Sequence, residues 1–226
     1  MWYVTSQKTG VSALGVQRTL GLGSYKTAWS WLHKLRRAMV RPGRDKLTGL
    51  IEVDETYFGG LDEGHRGRPR AGATKKAVIV IAAEEDGPGI GRVRMKCISR
   101  ASAEELLGFI KEVGEQSAVI RTDGWECYRG LRHLGYAHDV DLRKDGLPRV
   151  HRVISLLKRW LLGTHQGAVS HEQLGYYLDE FTFRFNRRKS RFRGKLFYRL
   201  AQQAVAIEPV PYDNLVKCNR EGVHNG

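Results

Sequence analysis

The sequence predicts an α/β fold, a mixed sheet with flanking helices preceded by a small helical module. Three observations carry that expectation. Short apolar, β-branched runs in LIEVD, KAVIVIAAEE, RVRMKCIS and AVIRT are separated by turn or loop residues. ASAEELLGFIKEV and VHRVISLLKRWLL have the spacing of amphipathic helices. Ahead of them, residues 11–39 hold two helical patterns joined at Gly21-Leu22-Gly23.

The first of those patterns is VSALGVQRTLGL and the second runs through YKTAWSWLHKLRRAM, with Ser24 as its expected N-cap. Ala28, Trp31, Leu32 and Leu35 recur at helical intervals and are expected to face inward. Ser24, Tyr25, Lys26 and Thr27 then occupy the exposed N-terminal end. This is helix-turn-helix spacing, although an ordinary helical hairpin shares the pattern. In a helix-turn-helix those positions enter a major groove, and Lys34, Arg36 and Arg37 are available for phosphates. Residues 1–40 are expected to form this region, and RPGRDKLTG at 41–49 has the Pro, Gly and charge of a linker.

Residues 50–212 are expected to form the second domain. An apolar strand at 50–54 ends in Asp54, and Gly59 and Gly60 follow closely. A polar Gly/Arg loop at 61–74 leads to the strand KAVIVIAAEE, the turn DGPGIG and the strand RVRMKCIS, an antiparallel meander. The helix at 101–113 opens on Ser102 with Glu105 three positions later, a capping-box spacing. In AVIRTDGW a further strand ends at Asp123 and is broken by glycine. Three strands, a helix, a fourth strand and more helix is the order of an RNase H-like sheet. Two strand-end carboxylates on a basic chain suggest a divalent ion such as Mg²⁺ handling phosphates. Two-metal phosphoryl transfer usually takes a third ligand, and residues 150–162 are the best candidate helix for it. His151, Ser155 and Lys158 fall on one face there: His151 can ligate through a neutral nitrogen, and Lys158 can contact phosphate.

With 226 residues and 41% apolar content the chain has enough material for a real core. Its net charge of +14 is unevenly spread. Residues 1–49 hold nine Lys or Arg against one acid, residues 149–199 twelve against three, and residues 50–148 fifteen against seventeen. Clustered positive charge flanking an acidic stretch favours a phosphate-backbone binder over an anionic membrane surface. The longest wholly apolar run, Ala77 to Ala83, is far too short to span a bilayer and no secretory leader opens the sequence, so a cytoplasmic setting is expected. Cys97, Cys127 and Cys218 are scattered, which indicates free thiols. Near the C-terminus, Tyr177, Leu178, Phe181 and Phe185 have core spacing. They precede a phosphate-contacting cluster of Arg187, Arg188, Lys189, Arg191 and Arg193, and residues 213–226 form a tail.

DETYFGG, TDGW, SLLKRWLLGTH and YLDEFTFRFNRRKS, in this order, resemble the insertion-sequence transposases of the ISXO-like branch. The similarity runs from TSQKTGVSALGVQRTLGLGSYKTAW to PVPY near residue 212. It implies a DDE-type enzyme with an RNase H-like core that cuts and joins DNA at terminal inverted repeats, using two Mg²⁺ or Mn²⁺ ions and working as a homo-oligomer on DNA. Asp54 and Asp123 match the metal-binding acids. The third position, Glu or Asn in much of the branch, is His151 here, followed by Lys158 two turns later. Were a carboxylate required, Asp145, Glu172 or Asp179 would have to serve, and none lies in the matching motif. Two further departures are that a cysteine-rich zinc ribbon usually precedes the helix-turn-helix, and that the gap from Asp123 to His151 is short. Both fit a truncated copy that binds DNA without turnover. A nuclease without strand transfer is the other alternative.

Overall fold

The computed structural model describes residues 1–41, 43–59, 77–143, 145–165 and 169–216. The expected loop at 61–74, Cys218 and most of the expected tail lie outside them. Three helices come first, α1 (Trp2–Ser6), α2 (Ala13–Leu20) and α3 (Tyr25–Ala38). Strands β1 (Leu50–Phe58), β2 (Ala77–Asp86) and β3 (Gly89–Ile98) follow, then α4 (Ala103–Val113), β4 (Val119–Thr122) and β5 (Ala137–Val140). The chain ends in α5 (Pro148–His165), α6 (Leu174–Asn186), α7 (Arg193–Ala206) and α8 (Tyr212–Val216). Among the described residues no helix is long and apolar enough to cross a membrane.

Contacts divide the chain into two compact units, Asp45–Arg159 and Met1–Arg44 with Trp160–Gly226. The first holds a sheet in the order β3-β2-β1-β4-β5. The β1, β2 and β3 strands are antiparallel neighbours, whereas β4 runs parallel to β1 and β5 parallel to β4. This is the RNase H-like mixed sheet expected from element order. Strand residues alternate between faces. Ile51, Val53, Val78, Val80, Ala82 and Ile120 pack with Leu106, Phe109, Ile110 and Val113 of α4 on one side. Glu52, Asp54 and Thr56 point to the other.

Local chemistry explains where the elements depart from expectation. The first strand does not stop at Asp54. Pairing with β2 as far as Phe58↔Ala77 carries it to Phe58, so Asp54 lies inside the strand. Its pairing with β4 ends much earlier, at Glu52↔Arg121, which opens that edge of β1 beside Asp54. The sequence gives no apolar signal for β5, whose residues AHDV are all at least partly exposed. It is held instead by its ladder to β4, an Arg121–Asp139 ion pair at 2.7 Å and a Thr122–His138 hydrogen bond at 2.9 Å. Half of the expected capping box forms: Ser102 Oγ accepts the Glu105 amide, while the Glu105 carboxylate accepts from Ser99 Oγ at 2.9 Å.

In the other unit α2 and α3 are joined by a turn in which Gly21 is left-handed (φ 61°) and the Leu22 amide donates to the Gln17 carbonyl at 2.9 Å. Ser24 occupies the N-cap position of α3, but its hydroxyl makes no capping bond. Val4, Val11, Val16, Ala28, Leu32, Ala38 and Met39 form a core with Phe183 and Leu200. Tyr177, Leu178, Phe181 and Phe185 are buried as their spacing predicts. Trp31 is not. It is 48% exposed, because the buried line of α3 runs through Ala28, Leu32 and Arg36, one turn apart each.

Arg36 is thereby turned inward. Its Nε donates to Glu180 Oε2 at 2.8 Å, and its guanidinium lies 3.9 Å from the centroid of the Tyr177 ring. Arg184 donates to the other Glu180 oxygen at 2.8 Å and to the carbonyls of Gln7 and Val4. This buried network, with Phe183 and Leu200, places α6 and α7 with the N-terminal helices, where sequence order had grouped them with the sheet. The partition also sorts charge: this unit holds eighteen Lys or Arg against six acids, and the sheet unit twenty against eighteen.

His33 stacks on Trp29 at 3.9 Å between ring centroids and faces the same network. Burial, then the Arg36 guanidinium, lowers its pKa to about 3, and the same causes lower His165 to about 4. Both imidazoles are neutral in the native unit. An unfolded histidine takes a proton near pH 6.5, so the contribution of His33 is complete above that pH and declines as pH falls toward 3, by about 1.4 kcal/mol per pH unit. Asp179, whose carboxyl burial raises to about 7, acts in the opposite sense over part of that range. Comparing His33→Phe with the parent cancels it. Denaturant unfolding at pH 7.5 and 5.5 is expected to show the parent losing about 1.4 kcal/mol more than the variant between the two, and an equal loss would mean that His33 is not held neutral.

Candidate active site

The site begins with a charge in an apolar strand. Glu52 lies between Ile51 and Val53 and is fully buried, an arrangement that needs hydrogen-bond donors to be tolerated. They come from the first turn of α5. Pro148 opens that helix without an N–H of its own, and the next two amides, of Arg149 and Val150, donate to Glu52 Oε2 at 2.7 and 2.9 Å. The Arg149 guanidinium donates to Glu52 Oε1 at 3.0 Å, to the carbonyls of Gly87 and Gly89, and to Glu85. One arginine thus ties the start of α5 to β1 and to the β2–β3 turn.

Asp54 is on the same face of β1, one pleat beyond Glu52. His151 is the residue after the two clamped amides, and its Nε2 lies 3.3 Å from Asp54 Oδ2. Asp54 Oδ1 accepts the amide of Glu55 at 2.9 Å. Val150, Val153 and Leu157 bury one side of α5, leaving His151, Ser155 and Lys158 exposed on the other. The Ser155 hydroxyl donates to the His151 carbonyl at 3.0 Å.

Asp123 follows β4. The parallel register pairs Leu50 with Val119 and Glu52 with Arg121, the last pair of that ladder, and Asp123 lies two residues beyond it, just past the end of β4. The chain turns there at Gly124. Its φ is +78°, and a Cβ would lie 2.6 Å from Val140 Cγ1, so glycine is required on both counts. Asp123 Oδ1 accepts the Trp125 amide at 3.0 Å and the side chain is exposed. Behind the site, the buried Tyr128 hydroxyl donates to Glu55 Oε2 at 2.9 Å. Its pKa is pushed well up by burial first, then by the charges of Glu55, Asp54 and Asp123. One phenol therefore senses all three carboxylates.

Carboxylate oxygens and an imidazole are donors that divalent ions accept. Asp54 and His151 are in contact, yet among the described residues no group of three or more His, Cys, Asp or Glu is arranged to hold a metal ion. Two of the three expected donors meet, and Asp123 does not complete a group with them. Of the other carboxylates considered, Asp145 is exposed in the turn before α5, and Glu172 and Asp179 belong to the other unit.

The residues expected to touch nucleic acid divide by exposure. Ser24, Tyr25, Lys26 and Lys34 are exposed and Thr27 and Arg37 half-buried. Arg36 is removed from the set, because its charge is neutralised by Glu180 inside the core. Arg187 stacks over Phe183 and Arg188 over Phe185, at 4.1 and 4.0 Å from the ring centroids. Burial, then the like charges of Arg199 and Arg41, lower the Arg187 pKa. Lys189 and Arg191 are exposed, and Arg193 is the first residue of α7. Glu52 and Arg149 were not picked out from sequence. The available signal was a glutamate inside an apolar strand and an arginine directly after the proline that opens a helix.

Glu52→Gln keeps the shape but leaves Arg149 facing a neutral amide. Its expected cost is about 3 kcal/mol, with faster hydrogen exchange at the Arg149 and Val150 amides. Unchanged stability and exchange would show that the start of α5 is held by something else.

Residues 46–186, more than half of the chain, match the family model of the ISXO2-like transposase domain. No curated protein matched the sequence. Two solved structures are similar at low identity. One is a simian T-cell lymphotropic virus intasome in complex with PP2A regulatory subunit B56 gamma, at 14% identity over 89% of this chain and 70% of that one, TM-score 0.37. The other is a pre-cleavage Mos1 transpososome, at 13% identity over 78% and 62%, TM-score 0.26.

Proposed function

We propose that this chain, which belongs to the ISXO2-like transposase domain family, is a DDE-type DNA transposase that cuts the terminal inverted repeats of an insertion sequence and joins the freed 3′-hydroxyl to target DNA. The observation that carries the proposal is the contact of His151 with Asp54 on a helix fastened to the same strand, with Asp123 just past the end of the neighbouring strand. Asp54, Asp123 and His151 are the residues that would hold Mg²⁺ or Mn²⁺, two ions in all. When bound, such ions supply Lewis acidity at the phosphodiester and a more acidic attacking hydroxyl. The remaining work falls to the chain. Lys158, exposed two turns along α5 from His151, binds a phosphate oxygen and holds the strand in line. Ser24, Tyr25, Lys26 and Thr27 read base edges in the major groove, and Lys34, Arg37, Arg187, Arg188, Lys189, Arg191 and Arg193 grip phosphates. Joining two ends calls for a homo-oligomer on DNA, and the setting is the bacterial cytoplasm. A second reading, a DNA-binding remnant without turnover, is favoured by the incomplete three-donor group.

Incubating the full chain with labelled terminal-repeat DNA, target DNA and Mg²⁺ or Mn²⁺ separates these. Joined products that fall about 10³-fold or more in Asp54→Asn or Asp123→Asn support the transposase. Cleavage without joining would mean a nuclease, and binding with neither would mean the remnant. For the third donor, His151→Glu is expected to retain activity and His151→Ala to lose it. Full activity in the alanine variant would remove His151 from the site. For phosphate contacts, Lys189→Ala is expected to reduce the slope of log affinity against log salt by about 0.9, and an unchanged slope would exclude that contact.

A further inference from the structure

The unit that holds the helix-turn-helix contains a cavity of about 420 Å³ to which nothing above gives a role. Its lining is rich in aromatic rings: Tyr25 and Trp29 from α3 and Tyr212 from α8. Trp29 and Tyr212 meet edge to face, with centroids 6.2 Å apart and planes at 70°. The Lys26 ammonium stands 3.9 Å over the Tyr212 ring. Gln173 also lines the cavity and is itself buried. Its amide nitrogen donates to the Leu215 carbonyl at 3.0 Å, and its amide oxygen is shielded from solvent with no partner among the described residues.

The lining discriminates between ligand chemistries. Among the described lining residues Lys26 is matched by one carboxylate, Glu172, and it is engaged on an aromatic face, so they carry no surplus of positive charge for a phosphate. Three aromatic rings suit a flat heteroaromatic ring, which describes a nucleobase. The volume lies within the range of small-molecule sites. Tyr25 and Lys26 are in the first turn of α3, the end assigned above to the major groove. We infer that this cavity receives a nucleobase swung out of the duplex beside the recognition helix, an inference that rests on the DNA-binding reading of α3. Unstacking a paired base costs a few kcal/mol, and aromatic stacking returns about 1–3 kcal/mol per base. The cavity therefore selects bases that are already unpaired, such as those at a distorted or cut end.

The test uses the full chain and two terminal-repeat duplexes carrying 2-aminopurine, one fully paired and one with an abasic site opposite the probe. The expected result is about tenfold tighter binding of the unpaired probe with quenching of its fluorescence. Tyr212→Ala is expected to reduce that preference below twofold while paired-duplex affinity is unchanged, and Tyr212→Phe to restore it. Equal affinities without quenching would overturn the cavity assignment and leave DNA binding intact. A preference that survives in Tyr212→Ala would place the base elsewhere and also overturn it. Failure to bind either duplex would sink the DNA-binding reading and the cavity assignment together.

Discussion

A buried carboxylate that must find donors organises the candidate site. Glu52 has no water to solvate it, and a lone ionised carboxyl in an apolar strand would be strongly destabilising. Two helix amides and a guanidinium resolve this, and in doing so fix where α5 begins. The geometry of His151 and Asp54 follows from that attachment: one is the next residue along the helix and the other is one pleat along the strand. Preorganisation of this kind matters because reacting groups displaced by about an ångström lose much of their catalytic advantage. Arg149 extends the clamp to the β2–β3 turn, so three strands bear on the helix start.

A second buried carboxylate does comparable work in the helical unit. Glu180 holds Arg36 from α3 and Arg184 from its own helix, and Arg184 in turn holds the carbonyls of Val4 and Gln7. Charge spent in this network is unavailable to a partner. What remains on the unit is still strongly positive, eighteen Lys or Arg against six acids, while the sheet unit is close to balance.

Much of this was legible in the sequence because the signals were local. Apolar runs closed by turn residues mark β2, β3 and β4, and two helical patterns around Gly21 mark α2 and α3. Asp54 and Asp123 stood out as acids where apolar runs end. What was not legible depended on partners far along the chain. Arg36 looks like a surface cation until α3 is rotated so that Ala28, Leu32 and Arg36 share the buried line, and only Glu180, 144 positions away, makes that rotation tolerable. Trp31 is exposed by the same rotation. The short strand β5 has no apolar pattern and exists through its pairing with β4. Glu52 was not picked out because its donors lie 97 and 98 positions later.

The central proposal is that Asp54, Asp123 and His151 together hold the bound divalent ions. A Mn²⁺ titration of the full chain, followed by NMR of the histidine imidazoles, tests it without requiring turnover. Paramagnetic broadening is expected first at His151 among the histidines, and it should be lost in Asp54→Asn and weakened in Asp123→Asn. Broadening that reaches other histidines before His151, or that persists at His151 in Asp54→Asn, would contradict it.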